Sequence, residues 1–528
     1  MRRREFLITS SAMLAGLDSL PARAFVREGT RKVLVFSGGQ PVPVLDPHAK
    51  YDYSTRMMQQ SIYDALAKYV GNPARIVPWL AHSWQKSADG LTWTFHLVPN
   101  ARFHNGDPVD AEAVRYSYER GLKLNQGIAW MLKGHLDPEG IAVVDAHTVQ
   151  MKMARPFPGF LSFVPWWFIV NPKEVKAHEV NGDQGKQWLT ANEAGSGPFR
   201  VRQWDGQSVM NLAAVPNYWK GWPEGEANRP AGVIYRVIRE PAPRRAALQR
   251  GEVDMVTDMT PEDYDQLAKM PGIKVSSNPG MTPFTIMMNC AQGPTADVNF
   301  RKALAYAIDY NAFIQIENGH ARLLDSPFPS ALTGHVTLKD MPRQDLARAR
   351  AYLAKSKTPK GGVALEYAYV AGLEVERQIG LAVLEALQKL DIKVNVTATP
   401  WPTLVARGSK PETAPSMMAV YVTPVSTDPD VVASQYTAAA AGSYWGMHHL
   451  SDPTLDDMVE KARFETDPQK RLPLYAAIQR RILADQPAIF GMMEDRRWAM
   501  RDYVRGFVFC PVRLTGEVDF YPMSIAAA

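Results

Sequence analysis

Residues 89–114 read DGLTWTFHLVPNARFHNGDPVDAEAV, and their polar side chains suit either a catalytic or metal site or a structural scaffold. Leu91, Trp93, Phe95 and Leu97 alternate with polar residues, which predicts a strand with one buried face. Asp89-Gly90 and Asn105-Gly106 are turn dipeptides, and Asp110 is placed to cap the helix that follows. Metal ligands would need a converging arrangement such as an i, i+4 pair, which this spacing lacks. The stretch is therefore interpreted as scaffold.

The longer segment 76–120, IVPWLAHSWQKSADGLTWTFHLVPNARFHNGDPVDAEAVRYSYER, resembles the signature region of family 5 solute-binding proteins of ABC transporters. This family includes dipeptide-, oligopeptide- and nickel-binding proteins. The family pattern is P-x-L-A-x-x-W, D-G-x-x-y-x-F-x-L and F-x-x-G-x-P, followed by an Ala-Glu-rich helix. One departure is LVPNARF, where the family usually has Leu-Arg. Further segments follow in the family's order, including GSGPF at 195–199 and NFRKALAYAID at 299–309, so the resemblance covers nearly all of residues 32–525.

The resemblance implies an α/β fold: a two-lobed periplasmic-binding-protein clamshell of type II with an extra subdomain in lobe I. It places lobe I at 30–60 and 190–280, the extra subdomain at 61–189, lobe II at 281–499 and a return to lobe I at 500–528. Residue patterns independently predict mixed α/β units. Helical faces are predicted from Ile379 to Leu390 and from Leu472 to Ile482, and strands at 149–153 and 393–399.

The N-terminus has the pattern of an export signal. Arg2, Arg3 and Arg4 precede a short apolar segment, and Ala22-Arg23-Ala24 is a small-x-small cleavage pattern, which predicts a signal peptide over 1–24 cleaved after about Ala24. Arg3-Arg4-Glu5-Phe6-Leu7 fits the twin-arginine pattern, with an ordinary Sec signal as the alternative. No later stretch has eighteen consecutive apolar residues, so we expect the mature protein in the periplasm.

Charge and motifs argue against several function classes. The net charge is only +5 over 528 residues, without a dense basic block after the start, so nucleic acid is not an expected partner. The sequence contains no G-x-S-x-G elbow, no phosphate-binding loop and no H-E-x-x-H, which argues against an enzyme and a bound cofactor. Cys290 and Cys510 are either free thiols or a disulfide, which their spacing does not decide.

The residues that anchor a peptide in the resembling family are not evident here. Peptide-binding members use an aspartate a few residues before an Asp-Pro-Asp-like turn, and with the turn at Asp428 to Asp430 that position falls near Val425. Dipeptide binders use an arginine that should fall within 367–375, which contains none. A buried unpaired peptide terminus costs several kcal/mol, so a zwitterionic peptide held by its ends is disfavoured, although Asp428 could supply a charge if the loop shifts.

Aromatic residues dominate the same regions and suit sugar rings, aromatic solutes or peptide side chains. Trp401 and Tyr421 have an equally good interpretation as core residues, whereas Tyr444 and Trp445 lie between glycines that mark a loop. The candidate ligand-binding residues are Tyr51, Tyr53, Trp401, Tyr421, Asp428, Tyr444, Trp445 and His448.

The sequence thus predicts a monomeric periplasmic binding component that passes a peptide-like or other small polar or aromatic solute to an ABC permease in the inner membrane. One alternative is a nickel-chelate or haem carrier of the same fold, for which His448 or His449 would be the ligand. A periplasmic hydrolase with dispersed catalytic residues is the other.

Overall fold

The computed structural model describes residues 27–28, 31–514 and 516–526. The predicted signal peptide lies outside the described residues. Within the described part of the chain, no helix combines the length and apolar character needed to cross a membrane.

The chain begins in the layer that becomes lobe I, with β1 (Arg27–Glu28), β2 (Arg31–Gly38) and α1 (Tyr53–Ile62). The carboxylate of Asp52 caps α1 by accepting from the Thr55 N–H at 2.9 Å.

The next segment builds a separate layer around a four-stranded antiparallel sheet in the order β5-β6-β8-β7. Its elements are β3 (Ala67–Val70), β4 (Arg75–Pro78), β5 (Ala81–Lys86), β6 (Thr92–Leu97), α2 (Ala111–Leu124), β7 (Leu136–Asp145), β8 (Thr148–Met153), α3 (Phe160–Phe163), α4 (Pro172–Ala177) and α5 (Lys186–Leu189). Trp93, Phe95 and Leu97 of β6 are buried, and Asp110 accepts from the Ala113 N–H at 2.9 Å. The scaffold interpretation of residues 89–114 is confirmed.

Lobe I continues with β9 (Phe199–Trp204), β10 (Val209–Ala214), β11 (Gly232–Val237), α6 (Pro241–Arg250), β12 (Met255–Val256) and α7 (Pro261–Ala268). The Gly-Ser-Gly-Pro-Phe segment leads into the β9–β10 hairpin, as predicted. A Cβ at Gly195 would lie 2.1 Å from the carbonyl oxygen of Ile62, so only glycine allows α1 and this turn to approach so closely.

The chain then crosses to lobe II and returns. The crossing strand is β13 (Ile273–Met288), and lobe II holds α8 (Val298–Ala307), α9 (Tyr310–Ile316), β14 (Ala321–Leu323), α10 (Leu346–Ala354), β15 (Val363–Val370), α11 (Glu374–Gln388), β16 (Ile392–Thr399), α12 (Trp401–Gly408), β17 (Met417–Tyr421), α13 (Asp430–Ala433), α14 (Pro453–Phe464) and α15 (Pro468–Asp485). The returning elements are β18 (Ala488–Arg501), β19 (Val504–Arg505) and β20 (Ser524–Ile525).

One twelve-stranded sheet joins the two lobes, in the order β16-β15-β17-β13-β18-β12-β2-β11-β10-β9 with β1 and β14 at the side. The long strands β13 and β18 pair from Ile273 with Arg501 to Met287 with Ala488, so each belongs to both lobes. Their register breaks between Pro279 and Pro283, opposite Glu494. We call this break the hinge, because the irregular pairing lies where the sheet passes from one lobe to the other. The segment boundaries drawn from the sequence stay a prediction.

The helical faces are confirmed with one correction. Ile379, Val383 and Leu387 of α11 are fully buried, as are Tyr475, Ile478 and Ile482 of α15. Leu472 was expected on the same buried face of α15 but is 38% exposed. It lies near the N-terminus of the helix, where the chain at Gly334 covers it only in part. Cys290 and Cys510 are both free thiols.

Candidate functional site

The two lobes touch through buried hydrogen bonds. The indole N–H of Trp166 donates to the carbonyl oxygen of Val425 at 2.5 Å, and the Ser426 hydroxyl donates to that of Ser162 at 2.6 Å. The largest apolar cluster also contains residues of both the subdomain and lobe II. The structure therefore shows the lobes closed on one another.

A cavity of about 210 Å³, here called the aromatic cavity, lies between the subdomain and lobe II. Its walls come from both sides of the cleft: Trp130, Met131, His135, Phe157 and Phe163 from the subdomain, and Val422, Thr423, Val425, Asp430, Val431, Ser434, Gln435, Tyr444, Trp445 and Arg463 from lobe II. The ring centroids of Trp130 and Trp445 lie 5.3 Å apart across the cleft. Aromatic planes on facing lobes can hold a flat or apolar group of a ligand.

Local chain geometry presents these rings. Trp130 lies in a short 3₁₀ turn, Ala129–Met131, that follows α2. Trp445 lies in the loop after Gly442, which has φ of +83° and so favours glycine. Tyr444 packs against Trp445 at 4.7 Å and against Trp401 at 5.9 Å. The loop thus carries two rings that reach the cavity, and Trp401 of the neighbouring helix packs on one of them.

The polar groups of the aromatic cavity are already satisfied or neutral. His135 stacks on Phe157 at 4.0 Å, and burial lowers the pKa of its imidazole to about 4, so the ring is neutral at pH 7. Arg463 contacts the Asp430 carboxylate at 3.0 Å and the Ser434 hydroxyl at 2.9 Å. Burial raises the pKa of Asp430 above its ordinary value despite this pairing. The walls of the aromatic cavity therefore offer a ligand shape and apolar area more than free charge.

A buried ion pair connects the surroundings of this cavity with those of a second one. Arg56 on α1 contacts Glu517 through Nε at 2.8 Å and Nη2 at 2.9 Å, and both side chains are almost fully buried. The guanidinium also donates to the Tyr51 hydroxyl and lies 3.9 Å from the Trp166 ring centroid. We call these four residues the dividing wall, because Tyr51 packs on Trp130 while Gly516, next to Glu517, lines the other cavity.

The second cavity, of about 280 Å³, lies at the hinge and is here called the hinge cavity. Lobe I contributes the β12–α7 loop around Asp258, and lobe II contributes Glu317 and the start of α11 around Leu373. Residues 494–498 of β18 complete it. In contrast to the aromatic cavity, its walls carry many ionisable groups.

These charges are crowded. Arg496 pairs with Glu494 of the same strand, whereas Arg497 lies 3.4 Å from Glu317 and 5.0 Å from the Tyr264 ring centroid. Burial, followed by the negative charge of Glu494, raises the pKa of Glu317 to about 8. At pH 7 Glu317 is therefore mostly protonated, and it neutralises little of the charge of Arg497.

The structure brings together some of the residues predicted from the sequence. Tyr444 and Trp445 line the aromatic cavity, and Tyr51 belongs to the dividing wall. Trp401 begins α12, is 39% exposed and reaches the cavity only through Tyr444. Tyr421 ends β17 and packs on Phe284 at 5.0 Å. Tyr53 is the first residue of α1, and its side chain lies outside the described part of the structure.

Two predicted residues are engaged elsewhere. The Asp428 carboxylate accepts two bonds from Arg471, at 2.7 and 2.8 Å, and so is not free to pair with a ligand amine in this arrangement. His448 is fully buried, receives the Leu450 N–H at 3.0 Å and donates to the Gln435 carbonyl at 3.0 Å. Burial lowers the pKa of His448 to about 3, as expected for a neutral core histidine. Ligand contact by any of these residues stays a prediction.

No group of three or more His, Cys, Asp or Glu side chains suited to a metal ion occurs within the described residues. His449, the other histidine considered for a nickel or haem ligand, donates to the Gly408 carbonyl at 2.9 Å and is buried.

Sequence reasoning missed the subdomain face of the aromatic cavity and the arginines of the hinge cavity. Trp130 and Phe157 carry no local signal, because only tertiary packing places them opposite Trp445. Arg496 and Arg497 do have a signal. The returning strand reads AIFGMMEDRRWAM, and four charged residues interrupt a run that is otherwise apolar and buried. Charges at a buried strand position indicate a partner or a site.

A protein-family model matches most of the chain. The model described as "Bacterial extracellular solute-binding proteins, family 5 Middle" covers residues 75–444, which is more than half of the chain.

Individual proteins match along nearly the whole chain. The Escherichia coli K12 protein named "Probable D,D-dipeptide-binding periplasmic protein DdpA" is 27% identical over 91% of this chain and 92% of its own length. The periplasmic binding protein DppA from Helicobacter pylori, solved with the peptide STSA, has a TM-score of 0.80 and 22% identity, covering 93% of this chain and 98% of that one. AgaA from A. tumefaciens R10, solved with agropinic acid, has a TM-score of 0.78 and 24% identity, covering 94% of this chain and 99% of that one. These structures share the clamshell fold with this chain.

Proposed function

Since the chain belongs to family 5 of the bacterial extracellular solute-binding proteins, we propose that it captures a small solute between its lobes and delivers it to the permease of an ABC importer. The observation that carries the proposal is the aromatic cavity, whose walls come from both sides of the cleft and meet at Trp130 and Trp445. A site built from two lobes is complete only when they are closed, so ligand binding and closure favour each other.

We also propose that the protein binds its solute without converting it. The buried ionisable groups of the aromatic cavity are the neutral His135 and the paired Asp430 and Arg463, an arrangement that holds a ligand but offers no activated nucleophile. A peptide-like solute, in keeping with the relative named as a dipeptide-binding protein, or another small aromatic or polar solute fits such walls.

The proposal also includes export of the protein to the periplasm. The Arg-rich start and Ala22-Arg23-Ala24 support removal of residues 1–24 and a periplasmic mature protein. N-terminal sequencing of protein from the periplasm should begin at Phe25, and replacing Arg3 and Arg4 by lysine should stop export if the twin-arginine route is used.

The test of function is to purify the protein from its native periplasm, denature it and identify the released small molecules by mass spectrometry. We expect one compound or a related series that raises the Tm of ligand-free protein and is recovered unchanged. Release of nothing, together with no stabilisation by periplasmic extract, would contradict the proposal, and conversion of the compound would show an enzyme instead.

A further inference from the structure

The hinge cavity contains two guanidinium groups that are buried yet incompletely bonded. The side chains of Arg496 and Arg497 are 8% and 5% exposed. Arg496 Nη2 and Arg497 Nη1 are each buried without a hydrogen-bond partner among the described residues. Leaving a buried charged donor unpaired costs more free energy than leaving a neutral one unpaired, so this arrangement favours binding of an acceptor.

The protein's own acids are engaged in other contacts or neutral. The Glu494 carboxylate accepts a hydrogen bond from Arg496 Nη1, the other terminal nitrogen of that guanidinium. Asp495 pairs with Arg322 at 3.0 Å. Glu317 reaches only Nη2 of Arg497, at 3.4 Å, and its raised pKa keeps it mostly protonated at pH 7. Asp258 accepts from the Gly39 N–H at 3.3 Å.

The position of these arginines suits a ligand anchor. Both line a cavity whose other walls come from lobe I at Asp258 and lobe II at Leu373, so closure of the lobes covers whatever binds there. The cavity, at about 280 Å³, lies near the lower end of the roughly 300–1,000 Å³ typical of small-molecule sites. The hinge strand is shared by both lobes, and a group bound there contacts the part of the sheet about which the lobes would turn.

Resting on the proposed function, we infer that Arg496 and Arg497 hold a carboxylate of the transported solute at the hinge end of the cleft. Guanidinium groups bind carboxylates through charge-assisted hydrogen bonds, and a carboxylate has two oxygens to offer the two unfilled donors. Three acids around the arginines, Glu494, Asp495 and Asp258, oppose a doubly charged phosphate but tolerate a single negative charge. The solute is therefore an organic acid, which includes a peptide with a free C-terminus.

The experiment uses the small-molecule fraction released from the wild-type protein by denaturation, before and after methyl esterification. Each fraction is titrated into ligand-free, refolded protein while the Tm is recorded. The untreated fraction should raise the Tm, the esterified fraction should require at least tenfold more, and mild ester hydrolysis should restore the original response.

Variants connect the carboxylate to these two residues. Arg497→Lys keeps the charge but removes the guanidinium donors, and the double variant Glu494→Gln/Arg496→Gln removes a pair without leaving either partner charged. Each should need at least tenfold more of the untreated fraction. Arg250→Gln, which removes an exposed arginine paired with Glu252 outside the hinge cavity, is the matched control and should respond like wild type.

The inference is overturned if the esterified fraction stabilises as well as the untreated one, or if both variants respond like wild type. A variant whose ligand-free Tm shows that it has not folded leaves the esterification arm to decide. If even the untreated fraction leaves the wild-type Tm unchanged, the proposed function fails and this inference with it.

Discussion

The aromatic cavity and the hinge cavity are each lined by residues of lobe II and of the part of the chain facing it, but they differ in what their walls offer. The aromatic cavity has opposed rings, a neutral histidine and an ion pair with its hydrogen bonds made. The hinge cavity has crowded charges and two arginines with unfilled donors. Apolar walls accept many shapes at modest affinity, whereas an unpaired buried charge rejects ligands that lack the complementary group. On the two proposals made above, selectivity would come from the hinge cavity and contact area from the aromatic cavity.

The largest expected effect comes from the dividing wall. Glu517→Ala leaves the buried Arg56 without its carboxylate and should lower the free energy of unfolding by about 3–5 kcal/mol. Chemical denaturation measures this change. Glu112→Ala removes an exposed pair with Arg115 and should cost less than about 1 kcal/mol. Equal losses in the free energy of unfolding would show that the buried pair of the dividing wall stabilises the fold no more than an exposed pair does.

The next effect concerns the aromatic end. Trp445→Ala removes the ring that faces Trp130 and should weaken ligand binding roughly 10- to 100-fold, since a buried aromatic side chain contributes about 1.5–3 kcal/mol. Isothermal titration calorimetry with the released ligand measures the Kd. Trp401→Ala, on a ring that does not line the cavity, should change the Kd less than about threefold. A comparable loss of affinity in both variants would show that the surface that contacts the ligand includes Trp401.

The two ends should also differ in their response to pH. The folded-state pKa of Glu317 is raised to about 8 from 4.5, so the folded protein holds a proton that the unfolded chain releases, and stability falls as pH rises from about 4.5 to 8. His135 has the opposite sign, because its pKa is lowered to about 4 from 6.5, and its contribution to stability is lost as pH falls through that interval.

Between pH 6.5 and 8 His135 no longer titrates, so a difference in slope between wild type and a Glu317 variant reports on the hinge cavity. Although burial lowers it, the hydrogen bond and charge of Glu193 raise the pKa of His104 above 6.5, so His104 contributes to the slope of both proteins. Thermal unfolding in this window should show wild-type Tm falling faster with pH than the Tm of Glu317→Gln. Glu376, whose pKa burial also raises to about 8, keeps part of the slope in both proteins. Parallel slopes for variant and wild type would remove Glu317 as the pH-sensitive group of the hinge cavity.

The smallest effect belongs to the rim of the cleft. Arg155 and Glu460 join the subdomain to lobe II at 2.5 Å, but both side chains are about half exposed. Glu460→Ala should therefore change the free energy of unfolding by less than about 1 kcal/mol, and the change should shrink further in high salt. A loss as large as that of Glu517→Ala would place the main interlobe contact at the surface.

Local signals in the sequence were sufficient for the scaffold. The alternation in β6, the Asp110 cap and the buried faces of α11 and α15 depend on neighbours a few residues away, and the structure confirms them except for the exposed Leu472 of α15. Tyr444 and Trp445 were found in the same way, from the glycines around them. The strand AIFGMMEDRRWAM carried a usable signal for the hinge arginines, since charges rarely interrupt a buried strand without a partner.

By itself, then, the sequence determined the α/β class and the family resemblance, because periodicity, caps and turns are encoded over short distances. Only the tertiary structure decided which side chains share a cavity. Trp130 and Trp445 are 315 positions apart, and whether Asp428 or His448 is available depends on Arg471 and Gln435, which meet them through folding. The chemistry of a binding site depends on contacts between residues far apart in the sequence and on burial. Burial sets the charge state of Glu317, and it leaves Arg496 Nη2 and Arg497 Nη1 without a hydrogen-bond partner among the described residues.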